Sequence, residues 1–293
     1  TGDGTTSKSV TGVGFQPDWV WIKARSQGYR HNFFDVIRGA GNMIEPSYNN
    51  DEANSGTSVG TSVQPSFTSD GFTVGVPSSG TYNGNLGTNE NTTTFVSWNW
   101  KAGGSPSNNS NGSITSSVSV NTDAGLSIVS YTGTGSAATI GHGLSQAAEY
   151  VIVKNRDVDG DNWAVGASTA NIFANHLQLN RSTDAATSAA QVFGGVNATS
   201  TVFSVGTNHK TNASGEKYIA YCFHSVDGFS KIGHYIGNSN ADGPTINCGF
   251  RPAWVLIRRT AGGSDWCIYD SKRLGFNVDN NLMRIGQSSA PTE

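Results

Sequence analysis

Charge is scarce in this chain. Only 13% of its 293 residues are Asp, Glu, Lys or Arg, and 18 cations against 21 acids leave a formal net charge of −3. That composition offers no basic field to hold a phosphate backbone, so a nucleic-acid partner is not expected. Cysteine is nearly missing too. Cys222, Cys248 and Cys267 form no C-x-x-C pair, and an odd number cannot all be bridged within one chain. Such sparse use argues against a disulfide-stapled scaffold. No apolar run approaches the roughly 18 residues of a membrane span, so membrane insertion is not expected. The six histidines show neither i,i+4 nor clustered spacing, which gives no sign of a histidine metal site.

What the chain has in quantity is glycine, 37 residues of it, together with Ser, Thr and Asn. These residues disfavour helix interiors and favour turns between strands, and an all-β protein is expected. One stretch organises the rest. Gly14-Phe15-Gln16-Pro17-Asp18-Trp19-Val20-Trp21-Ile22-Lys23 returns as Gly249-Phe250-Arg251-Pro252-Ala253-Trp254-Val255-Leu256-Ile257-Arg258, and more loosely as Gly143-Leu144 leading into Glu149-Tyr150-Val151-Ile152-Val153-Lys154. Each copy reads as a Gly/Pro turn feeding a buried strand that ends on a cation.

The repeats divide the chain into a first module at 1–101, a Gly/Ser/Asn-rich linker at 102–124, a second module at 125–224 and a partial third at 225–293. Residues 102–122 read as a flexible linker or an extended strand-like connector and are expected to pack little. In each, a second apolar stretch (Phe33-Phe34, Trp163-Ala164-Val165 or Trp266-Cys267-Ile268) forms a hairpin with the anchor strand. Two closing strands follow in the first two modules, Gly71-Phe72-Thr73-Val74 with Phe95–Trp100, and Val202-Phe203-Ser204-Val205 with Tyr218–Phe223. Along the strand at 95–100, Val96, Trp98 and Trp100 alternate with Phe95, Ser97 and Asn99, which puts the larger apolar set on one face. Short strands with turns about every ten residues suggest tandem β-sandwich modules of jelly-roll or laminin-G-like kind. The first module lacks an opening strand and the third stops before its closing strands. Both ends are explained if the native chain continues as a longer repeat array.

Taken together, Gly-Phe-x-Pro-x-Trp-Val-x-Ile-Lys, Asp70-Gly71-Phe72-Thr73-Val74-Gly75, Tyr218-Ile219-Ala220-Tyr221-Cys222-Phe223 and Trp98-Asn99-Trp100-Lys101-Ala102-Gly103-Gly104 resemble a repeat domain of marine bacteriophage and cyanophage virion structural proteins. The resemblance spans nearly the whole chain. It implies a non-enzymatic component of the virion surface, a tail fibre, head fibre or decoration protein that serves attachment to the host. Its partners would be other virion proteins or copies of itself, with host-surface glycans as ligands. It brings no catalytic residues and no cofactor. The alternative is a secreted cellular carbohydrate-binding or adhesive β-sandwich protein.

Candidate chemistry is thin. Asp157, Asp159 and Asp161 place carboxylates at alternate positions of one loop, where they could gather around calcium. A plain hairpin turn competes with that reading, because the matching loop Ala261-Gly262-Gly263-Ser264-Asp265 lacks the first two acids. Gly133-Thr134-Gly135 fits a relaxed dinucleotide fingerprint without the helix that motif must open, and it is expected to be a turn. Gly56-Thr57-Ser58-Val59-Gly60 spells a nucleophile elbow, again without the required strand and helix. The cation pairs Lys23/Arg25, Lys154/Arg156 and Arg258/Arg259 end each anchor strand. They are expected on a solvated face, with carboxylates such as Asp35 and Asp270 as partners. Trp19 and Trp21 alternate with Val20 and Ile22, so both faces of this strand are apolar. Trp19 and Trp21 are therefore the candidate surface for a ligand, a neighbouring module or a second subunit, and homo-oligomerisation is expected.

Overall fold

Runs of aromatic and β-branched residues broken by Gly and polar turns produce short antiparallel strands, as their propensities dictate. The computed structural model describes residues 1–54, 66–76, 88–183, 189–273 and 281–286. The first repeat supplies β1 (Lys8–Val10), β2 (Trp19–Ala24), β3 (Asn32–Asp35), β4 (Asn42–Met43), β5 (Ala53–Asn54), β6 (Phe67–Thr68), β7 (Gly71–Val74) and β8 (Phe95–Trp100). Next come β9 (Ser107–Asn109), β10 (Ser116–Asn121), β11 (Leu126–Thr132), β12 (Ala138–Gly141), β13 (Tyr150–Asn155), β14 (Ala164–Ala167) and β15 (Leu177–Gln178). The second repeat ends with α1 (Ala189–Val192), β16 (Val202–Val205), α2 (His209–Asn212) and β17 (Lys217–Phe223). The third contributes β18 (Trp254–Ile257), β19 (Trp266–Asp270) and β20 (Met283–Ile285). The protein is all-β, with two single-turn helices among the described residues.

Each anchor strand pairs with its hairpin partner in an equivalent register. Trp19 faces Asp35 in β2–β3, and Trp254 faces Asp270 in β18–β19. The first repeat forms the sheets β3-β2-β8 and β1-β7-β6, and the second forms β15-β14-β13-β17-β11-β10-β9 and β12-β16. The third forms β18-β19-β20.

The stretch 102–124 was expected to link modules and to pack little, and here the structure differs. It supplies β9 and β10 to the seven-stranded sheet, with Ala102, Ile114 and Val118 buried. Asp18 Oδ2 accepts the backbone N–H groups of Ala102 and Gly104 at 2.8 and 3.1 Å, tying this stretch to the first repeat. The Ser/Asn-rich composition conceals a period-two pattern, in which Val118 and Val120 face the core beneath the sheet.

Both faces of the first two anchor strands are covered. Val20 and Ile22 pack with Phe34, Phe72 and Val74 inside the first repeat, and Val151 and Val153 pack with Phe173, Phe193 and Phe203 inside the second. The opposite faces of all three repeats meet in one core: Trp19, Trp21, Phe33 and Trp98 with Ile128, Ile152 and Tyr221, and with Trp266, Ile268 and Met283. Trp98 is buried, and Val96 and Trp100 pack against that core, as the alternation along β8 predicts.

Candidate functional site

Where the three repeats meet, their polar contacts are cyclic. Register makes His31, Trp163 and Trp266 equivalent, each two residues before the position paired with Ile44, Leu177 and Met283 respectively. Trp163 Nε1–H donates to Glu45 O of the first repeat at 3.0 Å, and Trp266 Nε1–H to Gln178 O of the second at 2.9 Å. His31 of the first repeat reaches Arg284 O of the third through Nε2 at 3.1 Å, which closes the circle. Its Nδ1 accepts Trp21 Nε1–H at 2.8 Å, so the ring is neutral with its proton on Nε2. Burial, with Lys23 and Arg273 nearby, holds the His31 pKa well below the usual histidine value.

A second set of polar contacts between repeats involves a motif that the sequence reading passed over, Asp-x-x-Arg. Asp35 Oδ2 accepts Arg38 Nε–H at 2.6 Å, while its Oδ1 caps the backbone N–H groups of Ile37 and Arg38. Asp270 and Arg273 repeat this geometry at 2.5 Å, with the same capping of Lys272 and Arg273. The second repeat has Ala167 and Ala170 at these places. Tyr221 O–H of the second repeat donates to Asp35 at 2.8 Å, and Trp98 Nε1–H of the first donates to Asp270 at 3.3 Å. The recurrence of Asp-x-x-Arg directly after the hairpin strand in the first and third copies was the available signal.

Of the cations ending the anchor strands, Lys23 and Lys154 are not on a solvated face while Arg259 is exposed, and the arginines that pair with Asp35 and Asp270 are Arg38 and Arg273. Lys23 and Lys154 are buried, with Nζ donating to Tyr29 O at 2.6 Å and to Asn49 O at 3.4 Å. Burial lowers both pKa values to about 8. Arg156 pairs with Glu52 of the first repeat at 2.7 Å, and Arg258 donates to the carbonyls of Arg181 and Thr183 of the second. Lys154, Arg156 and Arg258 thus serve contacts between repeats, while Lys23 ties down a turn of its own repeat; in each an aliphatic stem packs beside the strand and a carbonyl or carboxylate receives the head.

Trp19 and Trp21 are 1% exposed, so they present no surface for an external ligand. Trp19 stacks on Trp100 and Tyr221, with centroids 4.2 and 4.5 Å apart, and Trp21 packs edge-on to Trp98 and Trp254. The neighbour that covers them is the rest of this chain. Asp157, Asp159 and Asp161 are directed to different partners. Asp157 accepts Lys217 N–H at 2.8 Å, Asp159 accepts Asp51 N–H at 3.0 Å, and Asp161 meets Asn155 and His209 at 2.8 and 2.5 Å. Among the described residues no group of three or more His, Cys, Asp and Glu is placed to hold a metal ion. Gly133–Gly135 is a turn bonded to Asn212 and Glu216 by backbone N–H groups. The stretch 56–60 lies outside the described residues.

Two grooves open to solvent among the described residues. One, of about 380 Å³, lies where the repeats converge, with Tyr48 and Asn49 from the first, Asn162 and Asn180 from the second and Asp265 from the third. Its lining is polar, with amides, hydroxyls, and one charge of each sign from Arg181 and Asp265. The other, of about 350 Å³, runs beside β8, between Phe95, Val96 and Ser97 on one side and Val10 and Val74 on the other.

The model of a family described as a domain of unknown function, DUF7483, matches residues 1–293. The chain belongs to this family. No curated protein and no solved structure matches it. Among the described residues, no helix is long and apolar enough to cross a membrane.

Proposed function

We propose that the chain is a non-enzymatic structural protein of a phage virion surface, of fibre or decoration type, built from β-sandwich modules of jelly-roll or laminin-G-like kind and serving attachment to the host. The observation that carries this reading is the use made of the polar side chains: His31, Asp35, Lys154 and Asp270 are buried and bonded to other repeats, at Arg284, Tyr221, Asn49 and Trp98 respectively. Investing buried ionic and aromatic groups in cohesion suits a protein selected to persist outside a cell. A glycan would seat in the groove where the repeats converge, its hydroxyls meeting the amides of Asn162 and Asn180. The test is mass spectrometry of purified particles together with labelling by antibody raised against the chain. Detection on intact particles supports the reading, and recovery only from cellular secretions overturns it in favour of a secreted adhesive protein.

A further inference from the structure

The groove where the three repeats converge is made from equivalent positions. Ser47, Asn180 and Gly286 all line it, and each stands three residues after the equivalent Ile44, Leu177 and Met283. The first two bond alike: Ser47 Oγ accepts His31 N–H at 3.2 Å, and Asn180 Oδ1 accepts Trp163 N–H at 3.1 Å. The third repeat departs from them with a glycine, which leaves that side of the groove without a side chain. A Cβ on Gly286 would stand 3.4 Å from Asn180 O and 3.6 Å from Asp265 Oδ1. The volume of about 380 Å³ falls in the range of small-molecule sites.

The polar groups left over in this groove are chiefly donors. Because Asn180 Oδ1 is taken by a backbone N–H, the Asn180 NH₂ is the group that donates to Asn162 Oδ1, at 2.8 Å. The Asn162 NH₂ is then without a partner among the described residues. The Tyr48 ring is held by the Arg30 guanidinium, 3.4 Å above its centroid. Arg181 is exposed, and its backbone is fixed from the third repeat: Arg258 donates to the carbonyls of Arg181 and Thr183, and Ser264 N–H to Ser182 O at 2.8 Å. Asp265, the acid of the groove, is matched by Arg284 at 3.6 Å. Arg181 is therefore the charge left unopposed.

A cation beside neutral donors favours a ligand that brings an anionic acceptor, since hydrogen bonds to an ionised group are the stronger kind. The hydroxyls of Ser47, Ser182 and Thr183 both donate and accept, as sugar hydroxyls require, and no aliphatic side chain among the described lining residues offers a seat for an apolar peptide side chain. We propose that the groove binds a carboxylate-bearing sugar, a hexuronate unit of an acidic polysaccharide. Arg181 meets the carboxylate, and the Asn162 amide and the hydroxyl side chains meet the ring oxygens. This rests on the reading that a glycan seats here and adds which class of glycan it is.

The test is calorimetric titration of the whole chain at low salt with trigalacturonate, with its methyl ester, and with a triglutamate peptide. Trigalacturonate is expected to bind at one per chain, with an affinity that falls as salt rises. Arg181→Ala should weaken it by about tenfold or more at an unchanged melting temperature, because the side chain is exposed. The ester, which keeps the sugar and loses the charge, should bind more weakly and equally to parent and variant. Equal binding of acid and ester, undiminished binding by the variant, triglutamate as tight as trigalacturonate, or no binding of trigalacturonate would each overturn the proposal. Equal binding of acid and ester leaves the glycan seat standing, whereas failure of both sugars removes the seat and leaves detection on particles to decide the virion reading.

Discussion

Replacing Asp35 by Asn removes one charge from the place where the first and second repeats are pinned together. Both Asp35 and Arg38 side chains are 0% exposed. The carboxylate receives Arg38 Nε–H, Tyr221 O–H and two backbone N–H groups. An asparagine keeps the shape and one acceptor oxygen for the backbone groups, but turns an NH₂ group towards Arg38, where donor meets donor, and Tyr221 loses its charged acceptor and can only accept in its turn. Breaking a buried pair on one side costs about 3–5 kcal/mol, because the surviving charge has no counterpart. Glu52, 3.4 Å from Arg38, still offers partial compensation, which places the cost near the lower end. For a domain of this size, about 3 kcal/mol lowers the melting temperature by roughly 6–12 °C. Near-UV circular dichroism follows the buried tryptophans through that transition. Tyr221→Phe should cost about 1–2 kcal/mol through the lost bond to a charged acceptor. The double variant should cost less than the two added together, because both changes remove the same bond. A loss below about 1 kcal/mol for Asp35→Asn, or strict additivity with Tyr221→Phe, would refute the assignment of this pair as a joint between repeats.

The pH dependence has two limbs. Lys23 and Lys154 have pKa values lowered from 10.5 to about 8, so above pH 8 the unfolded chain binds more protons and stability rises with pH. Burial raises the Cys222 and Tyr221 values above 9 and 10, which opposes that rise increasingly from about pH 9 upward, and Lys23→Met should flatten the rise in denaturant titrations between pH 8 and 9. On the acid side, burial lowers His176 from 6.5 to about 4 and also depresses His31 and His142, so stability should fall from pH 6.5 towards 4, and a flat urea midpoint over that range would contradict their burial. Gly166→Ala should cost about 1–3 kcal/mol by overpacking, since a Cβ there meets the Phe173 ring at 2.5 Å, and a thermal melt reads it directly. Trp98→Ala should cost about 3–5 kcal/mol in the same measurement, and an unchanged midpoint would remove Trp98 from the shared core.

Local patterning alone determined much of this protein. The alternation Trp19-Val20-Trp21-Ile22 named a strand covered on both faces, and the matched turns and apolar runs located its hairpin partner, because side-chain period and turn chemistry are properties of adjacent residues. Those rules failed between 102 and 124, where valines spaced by two among serines and asparagines became strand only because β11 offered a neighbouring edge. They also failed for Lys23, Lys154, Asp35 and His31, whose type suggests solvent but whose partners come from turns and strands far along the chain or in another repeat. A sequence repeat states that units are alike and leaves their relative placement open. That three copies close on one another around a common aromatic core was decided by contacts such as His31 with Arg284, 253 residues apart, which no local pattern encodes.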